Sequence, residues 1–224
     1  WLPVAILFLH QKPDSNQSIE FFKYLEVLTS YLHLSAKDVN KRIERYALIL
    51  KDLQNNPKHC SSNLFLTNEE KQSFKKILDG NIYNELTSVR RNYLILRLDA
   101  MISDGAANYN NESGLLTIEH VLPQTIDEES QWRQWWEKDE EGKDTQHQTW
   151  LHRLANLVPL NKRRNSAASN WDFNKKKEKY FSGNEGVSSY ALTSQVLKEN
   201  EWTPEIVENR QRELLKTLCT NWTL

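Results

Sequence analysis

Ile118-Glu119-His120-Val121-Leu122-Pro123 is the stretch on which the fold reading turns. Leu115, Leu116, Ile118 and Val121 give it the apolar character of a short strand, which ends at Glu119 and His120 before Pro123 breaks it. Further along, Leu154, Leu157, Val158 and Leu160 predict a second strand, with Pro159 placing it at a sheet edge or near a strand end. Asn165 to Phe181 then reads as a helix entered through a polar turn. Strand, turn, spacer, strand, polar turn and helix together spell a ββα unit. The spacer, 125 to 148, carries Trp132, Trp135 and Trp136 among many acids and reads as one helix plus a loop around Gly142.

Upstream the pattern is helical. Ile19, Phe22, Leu25, Leu28 and Leu32 recur at spacings of three and four, predicting a helix over 18–34. Ser35 is read as the cap of a second helix with Val39, Ile43, Tyr46, Leu50 and Leu53 on its apolar stripe. Thr67 and Glu70 form a capping box for a third, and a fourth runs over about 88–103. No titratable cluster with catalytic spacing occurs in this part. The segment 104–114, rich in Gly, Asn and Ser, makes the best boundary. The chain therefore divides into a helical linker or scaffold, 1–104, and a functional domain, 105–224. Thr203 as N-cap and Pro204 at the first helical position open a terminal helix through Ile206, Arg210, Leu214 and Leu218. The fold class is mainly α with a small ββα-metal unit, α+β.

Lys plus Arg number 29 against 30 Asp plus Glu, so overall charge points to no partner and distribution must decide. Cys60 and Cys219 form no C-x-x-C pair, which excludes a disulfide framework and a zinc ribbon and fits a reduced cytoplasmic setting. The apolar run Trp1 to Leu9 is far short of a membrane span and reads as the end of an element that begins upstream.

The polar residues fall where a ββα-metal unit does its chemistry. A neutral imidazole accepts a proton from water at neutral pH, which makes His120 the candidate general base for hydrolysis. A hard divalent cation takes oxygen ligands, and Glu119 and Asn165 are the candidates, with waters and a phosphate oxygen completing the shell. Mg²⁺ is the expected ion, with Mn²⁺ as the alternative. Asn156 lies nine positions before Asn165, a spacing that resembles the sites of HNH nucleases, and that resemblance implies that it braces the loop or orients the histidine.

Glu-His-Val-Leu-Pro-Gln from Glu119, Trp150 ahead of Asn156-Leu-Val-Pro-Leu, and Asn165 with Asn170, Phe173 and Lys176 together resemble HNH nucleases, the letters here reading His, Asn, Asn. The fuller pattern is similar to the C-terminal nuclease domain of GmrSD-type modification-dependent restriction enzymes and of SspE-type nucleases that act with DNA phosphorothioation. It is strong over 115–181 and continues through Trp202, Ile206, Arg210 and Leu214. Many HNH enzymes have Asp where this chain has Glu119. The resemblance implies a metal-dependent DNA endonuclease of a bacterial antiphage system, joined to an N-terminal nucleotide-hydrolysing domain that this sequence does not contain.

Between Leu151 and Tyr180 stand eight strong bases, among them Lys162, Arg163, Arg164, Lys175, Lys176 and Lys177, against two acids. Beside the proposed centre this surplus predicts a phosphate-backbone groove that binds DNA largely without base readout. Trp132, Trp135, Trp136 and Trp171 are expected to pack in the core. Two other readings remain: a non-catalytic HNH-like DNA-binding module, and a helical interaction protein whose motif match is accidental.

Overall fold

Helices begin where a side chain takes over the free amides of the first turn, and the first half of the chain follows that rule closely. A computed structural model describes residues 1–56, 60–103, 116–161, 170–178 and 190–224. They form two compact units, one of 1–77 with 222–224 and one of 78–221.

In the first unit α1 spans Leu2–His10, α2 Ser15–Leu34, α3 Val39–Asn55 and α4 Asn68–Leu78. Asp14 and Gln17 close a capping box on α2, with Gln17 N donating to Asp14 Oδ1 at 2.8 Å and Asp14 N to Gln17 Oε1 at 3.0 Å. The helix thus starts three residues before the periodicity predicts. Ser35 is not the cap of α3; its hydroxyl donates back to the Tyr31 carbonyl at 2.6 Å and ends α2. Asp38 caps α3 instead, accepting from Asn40 N at 2.8 Å. Thr67 and Glu70 make the expected reciprocal box on α4, at 3.0 and 3.2 Å. Phe21, Leu25, Leu28, Tyr31, Leu53 and Phe74 are buried between these helices.

The second unit holds α5 (Ile82–Glu85), α6 (Ser88–Ile102), β1 (Leu116–His120), α7 (Trp132–Trp135), α8 (Thr145–Trp150), β2 (Leu157–Asn161), α9 (Phe173–Lys176), α10 (Ala191–Leu197) and α11 (Pro204–Trp222, whose last residue belongs to the first unit). β1 and β2 pair antiparallel, with Leu116 opposite Asn161 and His120 opposite Leu157. Pro159 sits opposite Ile118, tolerated because a two-stranded sheet has only edge strands. A 3₁₀ turn over Leu154–Asn156 replaces the start of the strand read from sequence. The composition break at 104 is not where the units divide. α6 packs on α10 and β2, and buried Asp99 on α6 accepts from Leu192 N of α10 at 2.8 Å.

Trp132, Trp136, Trp202 and Phe173 fill the core beside Val121, Leu122, Ala155 and Val158. Each of the three indole N–H groups finds an acceptor: Trp136 on the Trp202 carbonyl at 2.7 Å, Trp132 on the Trp171 carbonyl at 2.9 Å, and Trp202 on Asn156 Oδ1 at 3.2 Å. The acid-rich spacer forms two short helices rather than one. Asp139 gathers the amides of Glu141 and Lys143 at 3.1 and 2.8 Å into a turn completed by Gly142 at φ +76°. Among the described residues no helix is long and apolar enough to cross a membrane.

Candidate functional site

β1 delivers Glu119 and His120 to the end of the sheet, where the chain leaves the ladder. Because successive side chains on a strand point to opposite faces, the two neighbours look into different environments. Both are nonetheless buried, at 8% and 5% exposure.

Glu119 faces α9. Its Oε1 receives Lys176 Nζ at 3.1 Å, and the same ammonium donates to the His120 carbonyl at 2.9 Å. Lys176 is 1% exposed. Burial raises the Glu119 carboxyl above the ordinary glutamate range against the pull of Lys176, and burial lowers the Lys176 ammonium against the pull of Glu119. The pair ties α9 to β1. Lys176 therefore does not reach a DNA backbone as its sequence position suggested: its ammonium is turned inward. Consecutive residues on one helical turn diverge by about 100°. Lys175 accordingly points out, with Nζ 4.2 Å from the Trp171 ring centre, while Lys177 donates to the Glu199 carbonyl at 2.7 Å.

His120 meets a second imidazole. Its Nε2 lies 3.1 Å from Nδ1 of His152, a residue the motif reading passed over. The Tyr83 ring centre is 4.2 Å from that of His120. Burial first, then the fields of His152, Lys176, Arg91 and His147, hold the His120 imidazole down at about 3. His152, half-buried, is lowered as well, again chiefly by burial. Both rings are therefore neutral at neutral pH. The pair shares one proton, and in either tautomer one outer nitrogen, His120 Nδ1 or His152 Nε2, keeps a lone pair.

Asn156 is fully buried and holds the turn after His120. Its Oδ1 accepts from Leu122 N at 2.7 Å, and its Nδ2 donates to the carbonyls of Leu122 and Leu151 at 3.1 and 2.9 Å. Val121 N adds a bond to the Asn156 carbonyl at 3.0 Å. His147 completes the frame through Nε2 and the Pro123 carbonyl at 2.8 Å. Two polar side chains and one backbone bond thus fix the chain immediately beyond the histidine.

Asn165, Lys162, Arg163 and Arg164 lie outside the described residues. Of the two ligands expected for a divalent cation, only Glu119 lies among the described residues. Among them no three acidic, histidine or cysteine side chains converge on one point, and the Glu119 carboxylate already carries an ammonium. A hard cation placed there would meet Lys176 at once.

Sequence reading missed His152, Tyr83 and Arg91. His152 stands four positions before Asn156, inside the segment singled out, so only its unremarkable spacing hid it. Tyr83 and Arg91 come from α5 and α6, and no local pattern links them to His120.

The family model for the C-terminal domain of GmrSD restriction endonucleases matches residues 67–217. No curated protein matches the chain.

Proposed function

Because the chain belongs to the family of C-terminal domains of GmrSD restriction endonucleases, we propose that its second unit is an HNH-type DNA endonuclease module in which the His120–His152 pair accepts the proton of the attacking water. The observation that carries this reading is the pair itself: two neutral imidazoles in hydrogen-bond contact at the end of β1, one buried and one reaching solvent.

In the proposed reaction a water oxygen bonds to phosphorus and its proton passes to the free imidazole nitrogen. The bond from phosphorus to the 3′ oxygen breaks, and that oxygen takes a proton from solvent. The products are a 5′ phosphate and a 3′ hydroxyl. The cations that depress His120 in the free protein attract the anionic substrate. Once bound, the phosphate opposes their field and raises the proton affinity of the pair when the water must be deprotonated. Asn156 keeps the turn after His120 in place, and the Glu119–Lys176 pair anchors α9 behind it. A divalent cation, if bound, would be held by Glu119 and Asn165 and would neutralise charge on the phosphate.

In this proposal the module works at the end of a longer restriction protein of the bacterial cytoplasm, after a nucleotide-hydrolysing domain, on modified or phosphorothioated foreign DNA. The depressed proton affinity of His120 also favours a second reading, a DNA-binding module that has lost catalysis. Supercoiled plasmid separates the two. Incubation with the chain in Mg²⁺, beside an EDTA control, should give nicked or linear product that His120→Ala does not give. Binding without any cutting, by wild type and variant alike, would leave only the second reading.

A further inference from the structure

Tyr83 and Arg91 belong to a stretch with no catalytic spacing in its sequence, yet the fold sets both at the histidine pair. The Tyr83 ring lies 5.7 Å from that of His152 and within 19° of parallel to it, besides its 4.2 Å approach to His120. The Tyr83 amide donates to the His152 carbonyl at 3.1 Å, so this placement is fixed through the backbone as well. Arg91 lies over Tyr83, with Cζ 4.0 Å from the ring centre, and its Nη1 donates to the Tyr83 carbonyl at 2.5 Å.

The guanidinium is otherwise under-used. Its Nε is closed to solvent and has no hydrogen-bond partner, and no carboxylate pairs with Arg91, among the described residues. A half-buried cation without a carboxylate partner gains from an anion that arrives at its open side. Glu119, the carboxylate at the centre, is held by Lys176, so the region around His120 keeps an excess of positive charge. With Nη1 on the Tyr83 carbonyl and Nε closed to solvent, Nη2 remains to donate to an oxygen of a phosphodiester drawn in by that surplus.

We propose that Arg91, braced on Tyr83, receives the phosphodiester that is attacked at the His120–His152 pair, so that the helical segment before β1 forms one wall of the active site. This rests on the nuclease reading above, and the experiment separates the two.

The 224-residue chain is tested with a labelled DNA duplex. Binding is followed over a range of salt for His120→Ala with and without Arg91→Gln, and cutting is followed for Arg91→Gln and Arg91→Lys with His120 intact, each variant checked by thermal melting. Loss of one phosphate contact should flatten the slope of log affinity against log salt by ~0.9. Turnover of Arg91→Gln should fall ~10² to 10³ fold, as for other single donors to a developing anion. Arg91→Lys, which keeps the charge and the stem, should retain the slope and still lose at least ~10-fold in turnover, because an ammonium lacks the planar guanidinium that is positioned on the Tyr83 ring and carbonyl. Wild-type slope with Arg91→Gln overturns the proposal, as does wild-type turnover with Arg91→Lys; the second result decides even if Arg91→Gln does not fold. Cutting by His120→Ala at the wild-type rate would instead remove the nuclease assignment of His120, while the salt slope still judges Arg91 as a phosphate contact.

Discussion

The two compact units bury different things. In the first, the described interior is almost wholly apolar, with Ser30 and Ser61 as its buried polar residues. In the second, Asp99, Glu119, His120, His147, Asn156, Lys176, Thr193 and Gln211 are all buried beside the tryptophans. Burying a polar group costs free energy unless a partner satisfies it, and a buried charge costs more. The first unit keeps the arrangement that needs least compensation. The second holds its buried polar side chains through hydrogen bonds to backbone groups and to one another, and such held groups set geometry and proton affinity at a reaction centre. Chemistry should therefore respond to changes in the second unit, and substitutions can break that contrast or sharpen it.

The largest expected effect is on rate. His120→Ala should reduce plasmid cleavage by ~10² to 10⁴ fold, the usual loss of a general base, while duplex affinity stays nearly the same. Residual cutting within a factor of two of wild type would withdraw the assignment. The next effect is on stability. Glu119→Ala strips the carboxylate from a buried ammonium and should cost about 3–5 kcal/mol in urea denaturation, whereas Lys175→Ala, on an exposed side chain, should cost less than ~0.5 kcal/mol. The same Glu119 variant tests the metal expectation. If Glu119 serves Lys176 and not a cation, the Mg²⁺ concentration giving half-maximal activity stays where it was.

Acid should act through His120. Its imidazole titrates near 6.5 when unfolded and at about 3 when folded. Between those values the unfolded chain holds a proton that the folded chain excludes, so stability is present above ~6.5 and is lost as pH falls toward 3. One such group contributes a slope of up to about 1.4 kcal/mol per pH unit within that window. Burial also raises Glu119, which works in the opposite direction above its ordinary range and shallows the slope. Denaturation curves from pH 7 to 4 should become flatter for His120→Asn than for wild type; equal slopes would mean that the histidine is open to protons in the folded chain.

The smallest effect distinguishes neighbours. Lys175→Gln should lower the salt slope of DNA binding by ~0.9 if the exposed lysine meets a phosphate, and Lys176→Met should leave it unchanged while destabilising the fold. A slope change from Lys176 alone would reverse the two roles.

Much of the frame was legible in the sequence. Leu116 to His120 and Leu157 to Leu160 declare two strands by apolar character and by the prolines near their ends, Thr67 with Glu70 declares a helix start, and the terminal helix follows from Thr203 and Pro204. These signals are local: a cap, a turn residue or a period acts over a few positions and is written there. The family, too, was readable, because the motif residues stand in chain order within 115–181. Tertiary structure alone decided which of three consecutive lysines turns inward to Glu119, which imidazole stands against His120, and that Tyr83 and Arg91 reach the same centre from helices assigned only a scaffolding role. Contacts between residues tens of positions apart depend on how whole elements pack, and charge, burial and proton affinity follow from those contacts rather than from the residue types themselves.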